Sequence, residues 1–533
     1  MRHPSRVHTI IISSLILVVA PLVASAQGAI EGTVTFWGDP GGGTEIEVGA
    51  HSSLGGPPDA SVLVAMPGGA YSIPVSDGVY YVATYMSRDG YVGEPREEDI
   101  LVWYDADGDG NRDTVTVSGG AMTGIDVDLG FAYVDIDATG GSNGSTWADA
   151  FTDFQDGIDL AVSGIEVWVA EGTYLPGASR SDSFLPKNGV RVFGGFAGGE
   201  TIRQERDWST HPTILSGEIG GAAATDNCYH VVRAEGSTPT AMFNGITITR
   251  GYANGGSIDD HGGGVRARGG GVTLANVTLI DNYATSAGGG VMANMGGTVK
   301  VYNSRFFNNQ APGGHGGGYY GSTASTQPQT LVNCIFTGNT AYRGGGISME
   351  NAGLLPVLVN LSLSGNSAAG EGGGIFTYST QTFVIENSIF WGNSGTNPQI
   401  SYWTTAPVVN YSIVQDNWAG GGTHILTDNP SFADAELRIN LDSPAIDSGD
   451  STAIPDDLPD LDEDHWTDEE IDVDLDLNWR RENIPYIPDT GIPDFEGRTV
   501  DMGAYEAFDP ALIFWDGFES GGTWEWDNVA GGL

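Results

Sequence analysis

Cysteine is almost missing from this sequence: 533 residues contain two, Cys228 and Cys334, so no disulfide framework can carry the fold. Lysine is equally scarce, at Lys187 and Lys300, and 21 basic residues face 68 acidic ones for a formal net charge of −47. A surface of that sign repels phosphate backbones, which argues against nucleic acid and anionic membranes as partners. Beyond residue 20 no apolar run approaches the ~20 residues that a membrane-spanning helix needs. Charged residues are 17% of the chain, below the usual quarter, a profile of neither a helical bundle nor a coiled coil.

Glycine and aromatic residues are plentiful instead. The 81 glycines are roughly double ordinary usage, and they cluster in triplets, which excludes the every-third-residue pattern of collagen. With 13 Trp, 20 Tyr and 19 Phe, and 40% hydrophobic residues, the chain has enough apolar surface to fill a core. At the start, Arg2 and Arg6 precede the apolar run 10–20, and Ala24-Ser25-Ala26 offers a small-residue cleavage site. The expectation is a signal peptide over residues 1–26 and a secreted protein, extracellular or on the outer cell surface, with no transmembrane segment. Removing Arg2 and Arg6 takes the charge from −47 to −49.

Residues 27–131 hold short alternating segments, such as Ile30-Glu31-Gly32-Thr33-Val34 and Tyr80-Tyr81-Val82-Ala83, punctuated by Gly, Pro and Asp turns. Period-two patterning of this kind predicts a small antiparallel β-sandwich. Next, apolar residues at 147, 151, 154, 158 and 161 or 162 trace one face of a single amphipathic helix. An internal repeat follows. Glycine triplets close at Gly264, Gly290, Gly318, Gly346 and Gly374, with spacings of 26, 28, 28 and 28. Paired asparagines six apart keep the same period, at Asn276 and Asn282, Asn303 and Asn309, Asn333 and Asn339, Asn360 and Asn366, Asn387 and Asn393.

A unit this short and glycine-rich cannot bury its own apolar residues, so it must stack on copies of itself. Equivalent asparagines on successive coils can then bond in a ladder, satisfying polar turns that would cost ~1–3 kcal/mol each if left unpaired. The sequence therefore predicts an all-β protein. A right-handed parallel β-helix over residues 132–454, of about ten to twelve coils, follows the sandwich. An acidic insertion with a closing motif spans 455–507, and a C-terminal tail 508–533. About four coils, at ~4.8 Å each, separate Cys228 from Cys334, so both are expected as free buried thiols.

The runs Asn333-Cys334-Ile335-Phe336-Thr337-Gly338-Asn339 and Gly344-Gly345-Gly346-Ile347, with their four siblings, resemble the repeats of bacterial polymorphic outer-membrane proteins and related β-helix proteins of the pectin-lyase-like fold. Ser443-Pro444-Ala445-Ile446-Asp447-Ser448-Gly449 and Val500-Asp501-Met502-Gly503-Ala504-Tyr505-Glu506 resemble the closing motif of secreted β-helix proteins bearing a choice-of-anchor domain. The layout of residues 27–131 resembles transthyretin-like or carboxypeptidase-regulatory-like modules. These resemblances imply a surface role: binding or adhesion toward glycan or neighbouring cells. The long barrel that ends polymorphic outer-membrane proteins does not follow the closing motif here. The alternative implied by the fold is a polysaccharide lyase or glycoside hydrolase.

Candidate chemistry is sparse. Asp105, Asp107, Asp109 and Asp113, with Asn111 between them, put oxygen ligands at EF-hand-like spacing, although Thr116 stands where the bidentate Glu would be. The reading is a structural Ca²⁺ loop between strands, with a merely acidic turn as the alternative. The residues before the triplets, His261, Ala287, His315, Arg343 and Glu371, form a column if the repeats stack. Arg343 beside Glu371 is expected as an exposed ion pair, and His315, Arg343 and Glu371 as an active site is the sharper alternative. No catalytic residues are assigned. The acid-rich stretch 456–476 is expected as a solvated or calcium-loaded loop.

Overall fold

The computed structural model describes residues 28–507, apart from 39–44, 54–57, 88–99, 109, 222, 323–326, 351–353, 417, 464–468, 482–483, 485 and 496. The expected signal peptide and C-terminal tail lie outside the described residues.

The repeats fold into a right-handed parallel β-helix of about nine turns. One coil shows the plan. Thr298–Tyr302 and Arg305–Phe307 lie in the long sheet I, Gln310–His315 in sheet II and Tyr319–Ser322 in sheet III, each hydrogen-bonded in parallel to the equivalent strand of the next coil. Val299, Val301, Phe306, Ala311 and Tyr319 point into a core that runs the length of the solenoid.

Both registers read from the sequence sit at corners. The first asparagine of each pair turns the chain between the two strands of sheet I, with φ of 52, 43, 52, 55 and 49 at Asn276, Asn303, Asn333, Asn360 and Asn387. Asparagine tolerates this left-handed backbone because its short amide can bond locally. The second asparagines form a buried ladder. Asn282 Nδ2 donates to Asn309 Oδ1 (3.0 Å), Asn309 to Asn339 (3.0 Å), Asn339 to Asn366 (2.9 Å) and Asn366 to Asn393 (2.9 Å). Each Nδ2 also donates to a carbonyl of the preceding coil, as from Asn339 to Phe306 at 2.8 Å. In the triplets, the first glycine takes a positive φ, 66° at Gly316. The second has no room for a side chain, since a Cβ on Gly317 would lie 2.4 Å from the Gly345 oxygen.

The N-terminal region pairs Glu45–His51 with Ala60–Ala65 and Gly78–Met86, all antiparallel. It is fused to the solenoid. Strand Val127–Val134 pairs through Val127 to Gly130 with Gly28–Trp37, and through Gly130 to Val134 with Ile165–Ala170 of the first coil. Phe131 packs on Trp168 at 4.3 Å, and Trp168 stacks on Phe196 at 4.8 Å, so one aromatic layer spans the junction. The helix is shorter than its periodicity implied. It runs Phe154–Leu160, started by an Asp153 side chain that accepts the Gln155 N–H, while residues 147–153 form a turn and bends, with Phe151 bridged in parallel to Val134.

After Ile425–Leu426 the chain leaves the coils, which is why about nine turns form rather than ten to twelve. It returns along the outside of sheet I. Ile454, Leu461, Ile471, Val473 and Val500 bury the outward Phe193, Met242, Tyr302, Val332 and Val359. The expectation of a solvated loop at 456–476 is therefore corrected for the described residues. Asp457, Asp460 and Asp474 are buried, because guanidinium groups and backbone N–H groups take the place of water. Arg203 reaches Glu166 (2.9 Å) and Asp460 (3.1 Å), Arg206 reaches Glu463 (2.5 Å), and Asp474 accepts the N–H groups of Asp476, Asn478 and Glu506. Cys228 and Cys334 are free and buried, and burial pushes each thiol up to about 12.

Candidate functional site

With the C-terminal segment on sheet I, the outer face of sheet III combines rings with charged groups, joined at its edge by Arg343 and Glu371 from the sheet II strands Thr340–Arg343 and Ser367–Glu371. Register places Arg266, Met292, Tyr320, Ser348, Phe376 and Ser401 in one outward column. The neighbouring outward column is Arg268, Asn294, Ser322, Glu350 and Tyr378. Arg266, Met292, Ser348 and Phe376 are buried although they point away from the core, because the side chains of adjacent columns rise on both sides of them. This makes the middle column the floor of a shallow trough.

At the C-terminal end of the trough His315 Nδ1 lies 2.5 Å from Glu350 Oε1, and the Tyr320 hydroxyl donates to Glu350 Oε2 at 3.0 Å. Burial works to raise the Glu350 pKa, but the hydrogen bond and charge of His315, with the Tyr320 hydroxyl, outweigh it and hold the carboxyl below its usual range. His315 packs edge-on against Phe376, ring centroids 5.9 Å apart. The expected Arg343–Glu371 ion pair does not form among the described residues. The Arg343 guanidinium lies over Trp403 at 4.1 Å, and Glu371 Oε2 instead accepts the Trp403 Nε1–H at 2.7 Å. A flat cation over an indole face combines electrostatic attraction with stacking, which the flexible surface pair would not. Trp403 remains 51% exposed, and Tyr402 beside it in sequence and Tyr342 two coils earlier are each 43% exposed.

At the N-terminal end Arg266 meets Glu235 at 2.5 Å and Asp259 at 3.6 Å. His230 Nδ1 lies 2.9 Å from the Gly262 carbonyl, so that nitrogen donates and Nε2 accepts from Arg266 Nη1 at 3.1 Å. Burial first, with the Arg266 charge adding, lowers the His230 pKa to about 4, so the ring is a neutral strut for the arginine.

Sequence reasoning thus reached His315, Arg343 and Glu371 and missed Glu350, Tyr320, Phe376 and Trp403. The signal for three of them was present: strand alternation turns the second and fourth residues after each glycine triplet outward, which selects Tyr320, Phe376 and Glu350. Trp403 belongs to a coil without a triplet.

In the acidic loop, ligand atoms of Asp105, Asp107 and Asp113 all lie within 4.8 Å of one another. Asp109 falls outside the described residues. Asp105 accepts the N–H groups of Gly108 (2.9 Å) and Gly110 (2.7 Å), and Asp113 accepts that of Ala106 (2.7 Å). The loop lies against the solenoid, where a Cβ on Gly110 would come 2.4 Å from Thr240. Three converging carboxylates on hard oxygen fit Ca²⁺.

No protein-family model matches the chain, and no curated protein does. Among solved structures, the crystal structure of pectate lyase Pel9A is similar at 14% identity and a TM-score of 0.35, over 71% of this chain and 96% of its own. A family 28 exopolygalacturonase from Yersinia enterocolitica is similar at 11% identity and a TM-score of 0.16, over 74% of this chain and 84% of its own. The strand pairing by itself makes the chain a parallel β-helix. Among the described residues no helix is long and apolar enough to cross a membrane.

Proposed function

We propose that the protein binds a polysaccharide along the outer face of sheet III, with Trp403, Arg343, Tyr320 and the His315–Glu350 pair as the principal contacts. The half-exposed Trp403 ring, fixed by Glu371 at its edge and Arg343 over its plane, carries this reading. An immobilised aromatic surface ringed by hydrogen-bonding groups suits a sugar, whose C–H faces are apolar and whose hydroxyls are polar. Little ordering entropy remains to be lost on binding. Export and a surface role rest on the signal-like N-terminus and the closing motif.

A second reading, polysaccharide cleavage, is favoured by one observation: a cation, Arg343, placed beside the hydrogen-bonded His315–Glu350 pair. One experiment separates the two. The full chain is passed over a panel of neutral and acidic polysaccharides, with retention and released products both measured. Binding without turnover leaves polymer length unchanged, and Trp403→Ala weakens retention about tenfold, or ~1.4 kcal/mol. Unsaturated, ultraviolet-absorbing products lost in Arg343→Ala would establish a lyase. Undiminished retention in both variants would remove the site.

We further propose that the Asp105, Asp107, Asp109, Asn111 and Asp113 loop holds a structural Ca²⁺. Binding to the folded state alone raises stability by about 2.7 kcal/mol at a hundredfold excess over Kd. Asp107→Ala with Asp113→Ala should reduce the calcium-induced rise in melting temperature of the full chain. The full chain is needed because Val127–Val134 is shared with the solenoid. An undiminished rise would place calcium elsewhere.

A further inference from the structure

The closing bend, residues 500–507, fastens the returning segment to the solenoid. The Gly503 N–H donates to the Asn387 carbonyl (2.7 Å) and the Ala504 N–H to Ser362 Oγ (3.1 Å). The same bend holds the rest of the segment, with the Met502 N–H on the Ala445 carbonyl (3.0 Å) and the Leu475 N–H on that of Ala504 (3.1 Å). Two of its own carboxyls close it. Asp501 accepts the N–H groups of Ala507 (2.6 Å) and Asp447 (2.7 Å), and Glu506 Oε2 accepts the Asp501 N–H (3.1 Å). Asp474 accepts the Glu506 N–H (2.9 Å), and Arg480 Nη2 donates to the Gly503 carbonyl (3.1 Å).

Charge does not balance inside this bend. Asp447, Asp474 and Asp501 are at most 1% exposed, and so is the Glu506 side chain. Among the described residues Arg480 is the one guanidinium set within the group, its Nη1 3.8 Å from Glu506 Oε2. The next cation, Arg481, turns to Glu470 (2.5 Å) and Asp494 (3.7 Å), and Asp489 adds one more acid on the Asp447 side. Asp474 is well supplied, since it also accepts the N–H groups of Asp476 (2.8 Å) and Asn478 (2.9 Å). Glu506 is not: its Oε1 is buried with no hydrogen-bond partner. A carboxyl in that position takes up a proton rather than remain a buried ion without a counter-charge. Protonation removes the charge while Oε2 keeps its bond from Asp501.

We propose that the Asp501–Glu506 pair retains a proton at neutral pH and that this proton locks the C-terminal strap. Its loss in alkali frees the 500–507 bend from Asn387 and Ser362 and loosens the segment over sheet I. Burial raises both carboxyls, Asp501 to about 8; the Asp447 charge adds to the one and the Asp501 charge to the other, against Arg480. The unfolded chain gives up the same proton near pH ~4. The stabilisation is therefore complete below that pH and is lost as the pH rises through about 8.

The full chain is compared at pH 7.5 and pH 9, an interval in which ordinary carboxylates, ionised by about pH 6, do not titrate. In wild type the melting temperature should fall across it. Amide exchange over residues 443–507, corrected for base catalysis, should accelerate at least about tenfold relative to the coils. Glu506→Gln should flatten both responses, and Asp501→Asn answers the same question if that variant fails to fold. Wild-type melting and segment exchange that do not differ between the two pH values overturn the proposal. So does a wild-type-sized response in the variant, or a loosening shared equally by coils and segment, which would be the repulsion of the whole acidic chain.

Discussion

Replacing Asn339 with alanine should destabilise the protein by about 3–6 kcal/mol, the largest effect expected of any single uncharged side chain in the solenoid. Asn339 is fully buried at the middle of the ladder. Its Oδ1 accepts from both the backbone N and the Nδ2 of Asn309, at 3.0 Å each, and its Nδ2 donates to Asn366 Oδ1 and the Phe306 carbonyl. Truncation strands two donors and a carbonyl in a site that water does not enter, at ~1–3 kcal/mol for each. Asn339→Asp is the sharper control. It preserves shape but sets an acceptor against the acceptors of Phe306 and Asn366, and should be at least as damaging. Denaturant melts of both variants would decide the matter, and a loss below ~1 kcal/mol would show that the ladder is incidental.

Arg203→Met should release the returning C-terminal segment at a cost of about 3–5 kcal/mol. Arg203 is nearly inaccessible and bridges Glu166, Asp460 and Glu463. Burial alone would favour its neutral form, yet the three carboxylates outweigh that and hold the guanidinium more firmly charged than in water. Removing it leaves buried acids facing one another, and breaking such a network from one side is expensive for that reason. Arg203→Lys keeps the charge but not the planar fork, so it should lie between wild type and Met. Limited proteolysis reads the outcome directly. New cleavage near residues 455–463 is expected in Arg203→Met, and a cutting pattern identical to wild type would mean that the apolar contacts of Leu461 and Ile471 hold the segment without help.

The two variants separate what was legible in the chain from what was not. Asn309, Asn339 and Asn366 touch one another because each coil stacks on a copy of itself, so a contact in space became a spacing in sequence. The glycine triplets were visible for the same reason: the corner at Gly317 leaves no room for a Cβ under Gly345, and the other four triplets, at Gly263, Gly289, Gly345 and Gly373, repeat that corner. Loop chemistry was legible too, since Asp105, Asp107 and Asp113 converge within nine residues. By contrast, Arg203 and Asp460 are 257 positions apart, and nothing periodic joins them. Read locally, the stretch 456–476 was a surplus of like charge, and only the arginines brought alongside make it part of the core.

The trough on sheet III lies between these cases. Its columns obey the repeat, but Tyr320, Glu350, Phe376 and Trp403 each occur once, so a periodic reading averages them away. The sequence by itself determined the solenoid, its corners and the acidic loop, because those features depend on contacts between a residue and its own repeat or its near neighbours. Tertiary structure alone decided which face of the solenoid the C-terminal segment covers and which face keeps its rings in water, because each depends on one-time contacts between distant segments that no spacing records.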